Sequence, residues 1–183
     1  MRRLNKRAEG EPKYKNMPQK INFIFKTDKE KIIEKLNYYG IKKLNFLLSN
    51  SGKEKIRGYS GILSKEELIE LNENIGIELI GLYLFHHYEN DDSLRLSFDA
   101  IYALKDQITE NIIELPEELE AEFLKGHDIL LTEQDKKKLK TQENQEALGF
   151  KIIKSKKDNE FIGTGKFTGD RIANYMPKER RLR

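Results

Sequence analysis

The chain contains no cysteine, and that absence excludes a good deal. Without thiols there is no disulfide framework, no cysteine-ligated zinc or iron–sulfur centre and no cysteine nucleophile. No apolar run approaches the roughly 18–20 residues that a membrane span needs. Residues 1–20 lack the apolar centre of a secretory signal, which leads us to expect a cytoplasmic protein. Valine is also missing, although isoleucine is abundant, and we read this as compositional drift rather than function.

Hydrophobic residues make up 37% and charged residues 36% of the 183 positions, a wet balance. Leu, Ile and Phe nevertheless sum to 51 residues, above the roughly 20% below which a chain cannot bury enough apolar surface to fold. The net charge of +3 hides an asymmetry. Residues 1–20 carry +5, residues 149–183 carry +6, and the stretch between them carries −8. Basic ends around an acidic middle suit a polyanionic partner met by the ends. A solvated tail explains the same numbers.

Residues 1–20, broken by Gly10, Pro12 and Pro18, read as a disordered basic arm. A strand-like run Ile21–Phe25 precedes a helix over Lys29–Tyr39 that Gly40 ends. Strands are expected at Lys42–Ser49 and Lys55–Ile62, with a turn at Asn50–Gly52. Ser64 and Glu67 form a capping box for a helix over 65–74. Further strands follow at Ile77–Tyr88 and Ser93–Phe98, and Asp99 is placed to cap a short helix through Leu104.

A second unit is expected from about residue 106. It has a strand at Ile112–Leu115, a helix over 116–125 between Pro116 and Gly126, a short apolar run His127–Leu131, and strands at Gly149–Lys154 and Phe161–Thr168. Thr132–Ala147 reads as a charged loop insertion or an exposed helix, and Arg171–Arg183 as a basic tail. Helices and strands mix without βαβ alternation or a repeat, so the class is α+β. The expected domains are 1–20, 21–105 and 106–183.

Few residues invite catalysis. His86 and His87 are adjacent, so on a strand they point to opposite faces and cannot easily share an ion. Gly163-Thr-Gly165 is too short for a dinucleotide fingerprint, and there is no P-loop. We expect no cofactor, no metal and no enzyme. The C-terminal segment is different. Its glycines would let a phosphate backbone approach, Lys166, Arg171, Lys178, Arg180 and Arg181 would supply phosphate donors, Asn174 a base-edge contact and Tyr175 a stacking face.

The pattern Phe161-Ile-Gly-x-Gly-Lys166, followed by Arg171-Ile-x-Asn-Tyr-x-Pro-Lys-Glu-Arg-Arg181, resembles the PUA-like RNA-binding domain at the C-terminus of the Nop/Sun family of RNA cytosine-5 methyltransferases. The likeness is to the small-subunit rRNA methyltransferase F type and to archaeal stand-alone relatives of that domain. Ile80–Tyr83 and Leu94–Ser97 resemble the segment that precedes it, Leu115-Pro116 and Phe123–Asp128 resemble the helix and turn that follow, and the resemblance runs from about residue 44 to 183.

It implies a small N-terminal α/β unit followed by a PUA-like pseudo-barrel. Gly163, Gly165 and Lys166 would lie at the RNA-approach surface, with Arg171 and Asn174 nearby. Lys151 and Lys154 would lie on an adjoining strand, and Lys178, Arg180 and Arg181 on phosphates. Asn174 to Pro177 could instead anchor the tail on the barrel. The family enzymes also carry an S-adenosylmethionine-binding domain and catalytic cysteines, and this chain has neither the room nor the residue. The 132–147 stretch is longer than the corresponding loop. The resulting expectation is a non-catalytic RNA-binding protein acting in rRNA or tRNA modification or ribosome biogenesis. The competing expectation is an adaptor that docks a separate RNA methyltransferase or ribosomal protein through the acidic 21–148 region.

Overall fold

The computed structural model describes residues 21–135 and 148–182. The predicted basic arm and most of the charged 132–147 stretch lie outside them. The fold is α+β, built on two five-stranded sheets, one of which curls as a half-barrel.

The first sheet is an antiparallel meander of β1 (Asn22–Phe23), β2 (Leu47–Ser51), β3 (Lys55–Tyr59), β4 (Leu82–Tyr88) and β5 (Ser93–Leu96), in that spatial order. Helix α1 (Lys26–Leu36) follows β1 and tightens into a single 3-10 turn at Asn37–Tyr39. Gly40 then takes the left-handed conformation, φ 83°, that ends it. A side chain there would collide with Thr109. The strand predicted over 42–49 starts late, at Leu47. The amides of Lys42 and Lys43 instead donate to the Gln107 side-chain oxygen, at 3.3 and 3.1 Å, so this stretch is tied to the 3-10 turn Lys105–Gln107 and not to the sheet.

Residues 63–78 belong to a compact unit distinct from the one that carries the two sheets. Its helix α2 (Lys65–Ile75) begins with the predicted capping box: Ser64 Oγ accepts from the Glu67 amide at 3.2 Å, and Glu67 accepts from the Ser64 amide at 2.7 Å. Those bonds hold the Glu67 carboxyl below its ordinary pKa. Ser64→Ala is expected to cost this helix about 1 kcal/mol, read as faster hydrogen exchange of the amides in its first turn.

Helix α3 (Phe98–Leu104) is capped by Ser97, whose Oγ accepts from the Ala100 amide at 3.0 Å, and not by the predicted Asp99. The second sheet comprises β6 (Ile112–Leu115), β7 (Ile129–Leu130), β8 (Gly149–Ser155), β9 (Phe161–Phe167) and β10 (Arg171–Asn174), in the order β6-β8-β9-β10-β7. β6 runs parallel to β8, and the remaining pairs are antiparallel. Helix α4 (Glu117–Leu124) links β6 to β7. The predicted basic tail is therefore corrected at its start. Arg171–Asn174 is an internal strand between β9 and β7, because Ile172 is fully buried and its neighbours complete both ladders.

Successive side chains of β8 divide the core. Phe150 and Ile152 join one apolar cluster with Leu36, Ile41, Leu84, Phe85, Leu96 and Ile101. Ile153 joins another with Ile113, Phe123, Ile172 and Met176. The strand is thus covered on both faces, as the continuous apolar run of a central strand requires.

Candidate nucleic-acid interface

The residues of the C-terminal motif mostly serve the fold. Gly163 is buried against Phe123, where a Cβ would stand 3.2 Å from the ring. At Gly165 it would stand 2.4 Å from the Ile172 side chain. Expected to admit a phosphate backbone from outside, both glycines instead admit the core from within. Asn174 is spent as well. Its Nδ2 donates to the carbonyls of Phe123 and His127 at 2.7 and 3.1 Å, and its Oδ1 accepts from the Met176 amide at 2.8 Å. Arg181 lies across Gly126 and donates twice to the Met176 carbonyl, at 3.2 and 3.1 Å.

Lys151 is 0% exposed. Its ammonium donates to Asn111 Oδ1 and lies 5.4 Å from the centre of the Tyr38 ring. Burial pushes its pKa down to about 8. In the structure Gly163, Gly165, Asn174, Arg181 and Lys151 are thus engaged in the framework. The other predicted cations reach the surface. Arg171 pairs with Asp128 at 3.4 Å, Lys154 with Glu114 at 3.7 Å, and Arg180 covers the Phe98 ring near Asp99, while Lys178 is exposed.

A denser cationic and aromatic surface lies elsewhere, on the outer face of the first sheet. A register shift between β3 and β4 leaves Leu84 unpaired and turns both Leu84 and Phe85 inward. Tyr83, His86 and Tyr88 then share the outer face. Lys55 on β3, His86 on β4 and Arg95 on β5 stand side by side in one cross-strand row. Arg95 Nε donates to the Tyr88 hydroxyl at 3.3 Å, and its terminal nitrogen to the Tyr83 hydroxyl at 3.4 Å. The Arg95 guanidinium covers the Tyr175 ring at 5.1 Å.

The rings form a continuous path. His86 lies 4.3 Å from Tyr88, Tyr88 stacks on Phe150 at 5.1 Å, and Phe150 meets Tyr175 edge-on at 5.2 Å. Lys166 covers Phe150 at 5.1 Å and reaches Asp91 at 3.6 Å. Lys55 lies 5.8 Å from the Tyr83 ring. Arg57, on the same face, is fixed by the carbonyls of Ile80 and Gly81 at 3.1 and 2.7 Å. Glu54, 3.3 Å from His86, is the acidic member. Burial, then the Arg95 charge, lowers the His86 pKa, so the ring is neutral at pH 7.

Of the residues expected at the RNA surface, Lys166 and Tyr175 belong to this face. The two histidines do point apart, since His87 bonds Asp92 at 2.8 Å on the other side. Among the described residues no group of three or more His, Asp or Glu side chains is placed to hold a metal ion. Sequence reasoning missed the face because its members come from five strands and a turn. The available signal was the recurrence of Tyr and His along Tyr83–Tyr88. No protein-family model matches the chain, and no curated protein matches it.

Proposed function

We propose that this is a non-catalytic RNA-binding protein that holds an unpaired strand on the outer face of its first sheet. The observation that carries the reading is the row Lys55–His86–Arg95, flanked by Tyr83, Tyr88 and Tyr175 and extended by Lys166 over the buried Phe150 ring. Cations held over aromatic rings on a sheet suit a polymer that is anionic along its backbone and planar at its bases. The basic ends of the sequence and its resemblance to the PUA-like RNA-binding domain support the same class of partner, and with it a role in rRNA or tRNA modification or ribosome biogenesis. The exposed Lys178 and Arg180 would extend the phosphate contacts.

Binding of a ten-nucleotide oligouridylate, followed by fluorescence anisotropy, tests this. With about four phosphates engaged, affinity is expected to fall roughly 50-fold between 50 and 200 mM salt. The double variant Lys55→Glu/Lys166→Glu changes two side chains at the surface and is expected to lose about 100-fold. Salt-independent binding, or unchanged affinity in the double variant, would sink the proposal.

A further inference from the structure

Next to the aromatic face lies a cleft of about 380 Å³, within the usual size range for small-ligand sites. Its lining includes Lys35, Tyr38, Ser93, Gly149, Phe150 and Lys166. Lys166 belongs to the RNA face as well, so the cleft opens where the proposed strand would pass.

Its wall has an unusual chemistry. The Tyr38 hydroxyl is buried and has no hydrogen-bond partner among the described residues. An unmade bond of this kind costs free energy, so its persistence calls for a reason. The Tyr38 ring is well fixed: its own carbonyl accepts from Asn111 Nδ2 at 2.5 Å, and it lies edge-on to Tyr39 at 4.9 Å.

Gly149 keeps the space beside that hydroxyl free of any side chain. A Cβ there would stand 3.4 Å from the Tyr38 oxygen and would meet nothing else within 4 Å, and the backbone, at φ 134°, disfavours any side chain. Behind the ring sits the Lys151 ammonium, whose acceptor is a neutral amide oxygen. The wall therefore offers a hydrogen-bond donor, with a buried positive charge behind its ring. At the rim, Lys35 and Lys166 are each paired with a carboxylate, Asp92 and Asp91.

We infer that the cleft receives one base displaced from the RNA strand on the adjoining face, with the Tyr38 hydroxyl donating to a carbonyl oxygen of that base. Lys166, which lies on both sites, exchanges Asp91 for the nucleotide's phosphate. The inference rests on the RNA-binding reading above. It adds a second site, specific for a base edge, to a face that stacks without choosing.

Uridine 5′-monophosphate is the probe, titrated into the full chain and followed by amide NMR shifts. It is expected to move the amides of Ser93, Gly149 and Phe150 and to leave those of Arg57 and Tyr83 in place. Tyr38→Phe removes only a hydroxyl that lacks a partner, so the thermal midpoint should hold or rise. Affinity for the nucleotide should fall about fivefold or more. Shifts confined to the sheet face, or equal affinity in Tyr38→Phe, overturn the base site while oligouridylate binding to the face survives. Failure of oligouridylate to bind at all overturns both.

Discussion

Between pH 7 and pH 10 the folded chain is expected to gain about 2–3 kcal/mol of stability relative to a Lys151→Met variant. Lys151 is 0% exposed, and burial lowers its pKa from an ordinary 10.5 to about 8. In the unfolded chain the same ammonium keeps its proton until about pH 10.5. Within that window the unfolded state binds the extra proton, so stability rises with pH. Below pH 8 both states are charged and the penalty is constant, about 3 kcal/mol at 1.36 kcal/mol per pKa unit.

The variant removes that penalty but strips Asn111 Oδ1 of its donor, which costs about 1–3 kcal/mol. The two chains should therefore differ little at pH 7 and diverge as the pH rises. Above pH 10 the buried hydroxyls of Tyr38, Tyr39 and Tyr83 act in the opposite sense, because burial raises their pKa and the unfolded chain loses those protons first. They do so equally in both proteins. Denaturant titrations at pH 7, 8, 9 and 10 read the difference, and parallel stability curves would refute the assignment of a buried, weakly compensated ammonium.

Asn174→Ala is expected to cost about 2–4 kcal/mol of stability and to leave RNA affinity unchanged. The side chain joins β10 to the end of α4 through two carbonyls and caps the Met176 amide. Truncation leaves a donor and two acceptors unmatched beside Ile172 and Met176, both members of the second core cluster. For a chain of this length each kcal/mol moves the thermal midpoint by about 2–4 °C, so a drop of roughly 5–15 °C should be visible in a melt. Loss of oligouridylate binding at an unchanged melting temperature would instead restore Asn174 as a base contact.

These two residues mark where the sequence could and could not be read. Lys151 sits in Gly149-Phe-Lys-Ile-Ile153, where a strand is legible but its depth is not. Elements distant in sequence, among them the end of the turn before β6 at Asn111 and the Tyr38 ring, cover it. Local devices were legible where the chemistry is local: the Ser64–Glu67 box, the Gly40 stop, and the bracketing of α4 by Pro116 and Gly126. β10 was missed because its single apolar residue with a clear inward role, Ile172, gives no period to count. The face on the first sheet was missed because one unpaired residue in β4 shifts the alternation, so that Leu84 and Phe85 both turn in. Alternation read from sequence would place one of them outside and scramble the set that includes Tyr83, His86 and Tyr88.

The sheets end in ways that bear on how the protein behaves at high concentration. The outermost strands β1 and β7 are two residues long, and the free side of β5 is met by Thr164, whose hydroxyl donates to the Leu96 carbonyl at 2.9 Å. None of these three offers another chain a long open ladder to extend. Crowded copies lined up along one RNA would then find little backbone to zip together at these borders. Self-association at these borders would have to run through side chains, and mutation or salt could tune it without touching the fold.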